Sequence, residues 1–226
     1  MPMHDAWIPL LLSLKVAGWA TALDVVLGVA AGYALARWRS GARDVIDSLL
    51  TLPLVLPPTV LGYYLLVLLG RRGVFGAWLD TLGVQLVFTW QGAVIASMVV
   101  AFPLVLKSAR AAFEAVDPQL ERAARTLGVS ETGIFFRVTL PLAARGILAG
   151  ALLAFARALG EFGATLMIAG NLPGRTQTLS VAVYAAVQAG DDATANFLVL
   201  VTSAVCVLIL LVAGRLVPPR ALAGAR

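Results

Sequence analysis

The chain has 226 residues, 60% hydrophobic and only 13% charged, with a mean hydropathy of +0.91, a profile that excludes an ordinary soluble domain. A helix rises about 1.5 Å per residue, so roughly 20 apolar residues cross a hydrocarbon core of about 30 Å, and several runs approach that length. The net charge of +5 is carried mostly at the ends of those runs, which argues against a nucleic-acid surface.

The expected fold class is all-α, a polytopic transmembrane helical bundle forming a single domain over 1–226. Five spans are expected, at about 8–36, 48–69, 91–111, 144–168 and 194–214. The opening MPMHDAW lacks the basic flank of a secretory signal, and no small-residue cleavage site follows, so the first span is expected to be retained. Lys15 lies within that span, where its stem can run along apolar surface toward the outer interface. The span closes in ARWRSGARD, whose arginines suit a cytoplasmic face.

The second span carries Pro53, Pro57 and Pro58 in LPLVLPP. Proline removes backbone donors and kinks or breaks a helix, and freed carbonyls cannot face lipid. Two readings stay open: a break that faces protein or a water-filled cavity on a transport path, or a packed kink. Residues 71–90, with Trp78, Phe88 and Trp90, read as a short helix at the outer interface. Pro103 predicts a kink in the third span.

After the fourth span, Asn171, Pro173 and Gly174 mark a turn. The apolar stretch 179–189 is too short to span and reads as an outer helix or connecting loop, with Asp191 and Asp192 leading into the fifth span. Such a segment can receive a partner on the outer side. The single cysteine, Cys206, excludes an intrachain disulfide and reads as a packing residue. His4, the one histidine, reads as a solvated terminal residue, and 218–226 as a frayed cytoplasmic end.

Twelve of the 17 Lys and Arg fall on one side of these spans, against Arg71, Arg72 and Arg175 on the other, with Lys15 and Arg157 inside spans. The positive-inside rule then puts the N-terminus outside, and the C-terminus and the polar stretch 114–141 in the cytoplasm.

That stretch, EAVDPQLERAARTLGVSETGIFFRVTLP, is a polar island between apolar runs. Asp117 before Pro118 is a strong helix start, because aspartate caps free amides and proline suits the first helical position. Leu120, Ala123, Ala124 and Leu127 recur at helical spacing beside Glu121, Arg122 and Arg125. Gly128 accepts the left-handed conformation that ends a helix. Ser130 can cap a second short helix through Ile134 and Phe135, which Pro141 is expected to end. The pattern permits either a surface-lying amphipathic loop or a helix-turn-helix projection that docks on another protein, the alanines and glycine allowing close approach.

The segment 121–128, followed after nine residues by Val138, Thr139, Leu140 and Pro141, resembles the EAA loop of the membrane subunits of bacterial ABC importers. The match covers Ala123, Ala124, Gly128, Val138, Leu140 and Pro141. It departs at Arg122, which stands where the pattern has its glutamate, with Glu121 one place earlier. The segment from Phe155 to Thr165, with LPLVLPPTVLGYYLL and GNLPGRTQTLSVAVY, is similar to molybdate ABC transporter permeases over nearly the whole chain. Sulfate permeases share much of the Gly160 to Gly163 segment; the modest chain length favours molybdate, with a sulfate or tungstate permease as the alternative.

The resemblance implies an inner-membrane homodimer, two cytoplasmic ATP-binding subunits carrying ATP and magnesium, and an external substrate-binding protein. Glu121, Arg122, Ala123, Ala124, Gly128, Val138, Leu140 and Pro141 would couple to the ATPase. Arg157 and Glu161, spaced four apart in the fourth span, are costly at bilayer depth and should pair or face a cavity. They form either a structural ion pair or, with Pro57 and Pro58, part of a translocation path between two copies. No Gly-rich stretch ends in Gly-Lys-Ser/Thr, so ATP hydrolysis would belong to a partner, and the chain itself is expected not to be an enzyme. No nucleophile or metal constellation is visible. A secondary transporter or channel would need a fuller set of intramembrane charges.

Overall fold

The computed structural model describes residues 6–38 and 40–216. The expectations for His4 and for the 218–226 tail lie outside the described residues. Within them every regular element is helical: α1 Trp7–Arg37, α2 Ala42–Val55, α3 Pro58–Leu69, α4 Val74–Thr81, α5 Trp90–Glu114, α6 Pro118–Thr126, α7 Glu131–Ile134, α8 Leu140–Leu159, α9 Gly163–Ala169, α10 Leu179–Gln188 and α11 Asp192–Leu216.

Small residues determine how the bundle packs. Gly28 and Gly32 of α1 touch α5 so closely that a Cβ at 28 would lie 2.9 Å from Val105 Cγ1, and one at 32 would lie 3.0 Å from the Arg110 nitrogen. Gly146 and Gly150 of α8 do the same on another side of α5, where a Cβ would meet Ala112 at 2.6 Å and Ser108 at 2.5 Å. Lipid tails are as apolar as leucine, so association here comes from close backbone approach and not from hydrophobic transfer. The register makes α1 parallel to α5 and α8 antiparallel to it, and α5 is the buried centre. Its Ala93, Ala96, Val100, Ala101 and Val105 form the main core with Val16, Ala17 and Ala20 of α1 and with Ala154 and Ala158 of α8. The outward-facing apolar side chains of α1 and α11 are left for lipid, as in Trp19, Val26, Leu200 and Leu211.

The first, third and fifth expected spans correspond to α1, α5 and α11, and the two expected short helices to α4 and α10. The second span is not one rod. Its halves, α2 and α3, bend by 111° at Leu56 and Pro57, because Pro57 caps α3 and Pro58 occupies its first position. The fourth expected span, 144–168, also needs correction: α8 stops at Leu159, and a break precedes α9. Nor does Pro141 end a helix. The chain is helical without interruption from Glu131 to Leu159, through a π-helical turn at Phe135–Thr139. Pro141 has no N–H and its ring would crowd the carbonyl four residues back; the wider turn, in which the Leu140 amide bonds the Phe135 carbonyl, relieves that clash. Pro103 likewise lies inside a continuous α5.

Candidate functional site

The polar island forms one end of the bundle. Asp117 accepts from the Gln119 amide at 2.8 Å and starts α6; Gly128, at φ +78°, turns the chain; Ser130 accepts from the Gly133 amide at 3.2 Å and starts α7. Arg125 bridges to Glu131 across the turn, its Nη2 bond being 2.9 Å.

The orientation of α6 is unusual for a surface helix. Its charged Glu121 points inward and is only 3% exposed, while Leu120, Ala123 and, at 82% exposure, Leu127 of the C-terminal cap point away from the protein. Arg37 at the end of α1 donates to Glu121 through both Nη1, at 2.7 Å, and Nη2, and the Thr139 hydroxyl of the π turn donates at 2.7 Å. The bonded Arg37 guanidinium, and secondarily Thr139, hold the Glu121 carboxyl below the usual carboxylate range despite its burial. The contact therefore contributes stability above a pH of about 4.3, the ordinary glutamate value, and loses it as pH falls through the lowered folded value. Beneath it Tyr33, Phe113 and Phe135 stack edge to face, with centroids 5.3 and 4.7 Å from Tyr33.

Arg37→Ala would strand a buried carboxylate on Thr139 alone and is expected to cost about 3 kcal/mol. Glu121→Gln keeps one oxygen to accept from Arg37 Nη2 and Thr139 while its NH2 leaves Arg37 Nη1 without an acceptor, and should cost about 1–2 kcal/mol. Thermal unfolding of the detergent-solubilised chain at pH 7 gives the order, and the reverse order would show that Arg37 does not anchor α6.

Among the other residues that the resemblance implies for coupling, Arg122 and Pro141 are exposed, Ala124 is buried, and Val138 and Leu140 are half-buried. A dense ion-pair network flanks them. Asp47 of α2 pairs with Lys107 and, at 2.8 Å, with Arg110, while Glu114 pairs with Arg43 and, at 3.0 Å, with Arg110.

A second cluster forms where the two broken spans meet. Arg157 and Glu161 do not share a helix as expected, since α8 ends between them, yet they pair: Arg157 Nη1 lies 2.8 Å from Glu161 Oε2. The other carboxylate oxygen accepts the Ala164 amide of α9 at 2.8 Å, and the residue is 2% exposed. Glu161 thus satisfies a backbone donor that the break would otherwise leave bare at bilayer depth. Against this turn sits the other break. A Cβ at Gly163 would lie 3.1 Å from Pro58 Cβ, and one at Gly62 of α3 would lie 2.8 Å from Ala164 Cα. Three of the four candidate path residues, Pro58, Arg157 and Glu161, therefore belong to one junction; Pro57 is exposed at its edge.

Sequence reasoning missed two elements of this arrangement. One is the Arg37 clamp on Glu121, formed by residues 84 apart. The other is Asp24, a carboxylate in α1 that is wholly buried with neither oxygen hydrogen-bonded among the described residues. Its interruption of the apolar first span was the available signal.

A family model described as the binding-protein-dependent transport system inner membrane component matches residues 25–221. The chain is 45% identical over 208 residues to the molybdenum transport system permease protein ModB of Escherichia coli (strain K12), covering 91% of each. Its fold is similar to that of a chain in the crystal structure of a bacterial alginate ABC transporter in complex with an alginate pentasaccharide-bound periplasmic protein, with a TM-score of 0.76 and 16% identity over 95% of this chain and 78% of that one. It is similar also to a chain in inward-facing conformations of the MetNI methionine ABC transporter, with a TM-score of 0.71 and 18% identity over 95% of this chain and 93% of that one.

Proposed function

Since the chain belongs to the family of binding-protein-dependent transport system inner membrane components, we propose that it is the permease subunit of an ATP-driven importer that carries molybdate, a tetrahedral oxyanion, into the cytoplasm by alternating access. The observation that carries this reading is the inverted face of α6. A helix that hides its glutamate and shows leucine and alanine presents a surface suited to another protein. No residue of the chain offers a phosphate-binding loop, so ATP and magnesium belong to the two cytoplasmic subunits that would dock there.

Glu121 is bonded both to α1 and to the helix 131–159, so a displacement of α6 is passed into both. The latter runs 29 residues, roughly 43 Å, from the docking end to Arg157 and the junction of the breaks. Arg157 would attract the anion there and Glu161 would hold that charge in check. A second copy of the chain supplies the other wall. Prolines 57 and 58 leave carbonyls of α2 without helical donors, which lipid cannot satisfy, and α2 has no buried residue within this chain. The N-terminus then lies outside and the C-terminus in the cytoplasm, with an external binding protein delivering substrate to the α10 side; nucleic acid has no part.

Vesicles holding the assembled complex and its binding protein are expected to accumulate labelled molybdate on addition of ATP, with sulfate taken up at least tenfold more slowly. ATP-independent uptake, or a preference for sulfate, would overturn the assignment.

A further inference from the structure

At the end of the bundle opposite α6, a cavity of about 430 Å³ opens between α1, the start of α5 and the loop before α10. Lys15 and Arg175 both line it, with Trp90, Gln91 and Thr176, and no aspartate or glutamate is among its lining residues. Neither cation has a carboxylate partner among the described residues. Lys15 instead lies over the ring of Trp90, its Nζ 3.6 Å from the centroid. Arg175 is exposed on a loop whose next residue, Thr176, is 1% exposed. The Thr176 oxygen accepts the Leu172 amide at 3.1 Å, leaving its hydroxyl proton to donate.

The cavity is also where α5 begins. Thr89 caps that 25-residue helix by accepting the Gly92 amide at 3.2 Å, and the amides of Trp90 and Gln91 have no partner within the helix. Two unpaired cations, a buried hydroxyl and the positive end of a long helix thus converge on a space inside the usual range of about 300–1,000 Å³ for small-ligand sites. Lys15 stands 22 residues before Arg37 on α1, roughly 33 Å from the α6 end. The site is accordingly separate from the docking face.

We propose that this cavity binds a tetrahedral oxyanion group, held by Lys15, Arg175, Thr176 and the first amides of α5. Such a group reaches it either as a free oxyanion or as the phosphate of an anionic phospholipid, whose chains would run down the lipid-facing side of α1 past Trp19. The inference stands on this geometry alone and does not need the transport reading.

The test uses the full-length chain in phosphatidylcholine nanodiscs and reads the fluorescence of Trp90 as the difference from Trp90→Phe. One arm titrates molybdate; the other raises the fraction of phosphatidylglycerol. A saturable change is expected in at least one arm, with apparent affinity lowered about tenfold or more by Lys15→Gln or Arg175→Gln, the size expected for losing a charge-assisted bond. Lys15→Arg and Arg175→Lys keep the charge and should bind within about threefold of the parent. A response to molybdate identifies the free anion, and a response to phosphatidylglycerol alone identifies the lipid phosphate. The proposal is overturned by the absence of a Trp90 response in both arms, by a response that both glutamine variants leave unchanged, or by charge-conserving variants as impaired as the neutral ones.

Discussion

Gly128→Asp is expected to lower copurification of the ATP-hydrolysing subunits at least tenfold while leaving the chain folded. At φ +78° any side chain is strained, by about 1–2 kcal/mol, though aspartate and asparagine visit this region more readily than most. A Cβ at 128 meets nothing within 4 Å of its own chain, so no internal clash is added. The large effect lies outside the chain. Residue 128 adjoins the outward side of Leu127 and Ala123, and an unpaired carboxylate buried there against a partner is strongly unfavourable, by several kcal/mol. Gly128→Asn carries the same backbone strain without the charge and is the control. Pull-down of the ATPase subunits and coupled ATP hydrolysis should be lost in the aspartate variant and largely kept in the asparagine variant. Intact assembly in Gly128→Asp, or equal loss in both, would mean that α6 is not the docking surface.

The second large effect is expected at the junction of the broken spans. Arg157→Ala leaves the Glu161 carboxylate buried on a single amide, and the loss of a buried partner costs about 3–5 kcal/mol. Glu161→Ala removes the ion pair and also bares the Ala164 amide inside the bundle. Either substitution should depress the thermal unfolding temperature as well as uptake, so neither separates packing from transport. Glu161→Gln does. Its amide oxygen can still accept from Ala164, but its NH2 cannot accept from Arg157, whose guanidinium is 33% exposed and can turn toward solvent, so the fold should lose about 1–2 kcal/mol, less than in either alanine variant. If the charge balance at this point handles the anion, molybdate uptake should fall at least tenfold in a variant that still melts near the parent temperature. Uptake unchanged in Glu161→Gln would reduce the pair to a structural brace.

The two effects lie at opposite ends of one helical rod. From Glu131 to Leu159 the helix runs without a break, and its π turn carries Thr139, which bonds Glu121. A proline that would ordinarily stop this rod is absorbed by the wide turn, so one uninterrupted helix joins the Thr139 contact with α6 to Arg157. The ion pairs of Asp47 with Lys107 and Arg110 tie α2 into the same end, so the half of the second span before the bend is held to α5.

Local chemistry was legible without the fold. Apolar length located α1, α5 and α11, since about 20 apolar residues have few stable settings other than a bilayer. Asp117, Gly128 and Ser130 each act within a few residues of themselves, through caps and a left-handed turn, and each does in the structure what its residue type predicts. Hydrophobic periodicity also marked Leu120, Ala123, Ala124 and Leu127 as one stripe on α6, which the structure splits by burying Ala124 on the side of Glu121. What periodicity cannot say is which way a stripe faces. That was decided by Arg37, at the end of a helix 84 residues earlier, which draws Glu121 inward and so turns the apolar side out. The break after Leu159 was equally hidden, because no proline marks it. It exists because Gly62 and Gly163 let α3 and α9 close on each other and because the Glu161 carboxylate receives the amide that the break exposes. Composition and local caps, acting over a turn or two of helix, determined from the sequence by itself that the chain is a bundle of apolar helices and where the polar island between α5 and α8 lies. The burial of Glu121 and the meeting of the two broken spans depend on contacts between residues distant in the chain, and only the tertiary structure decided them.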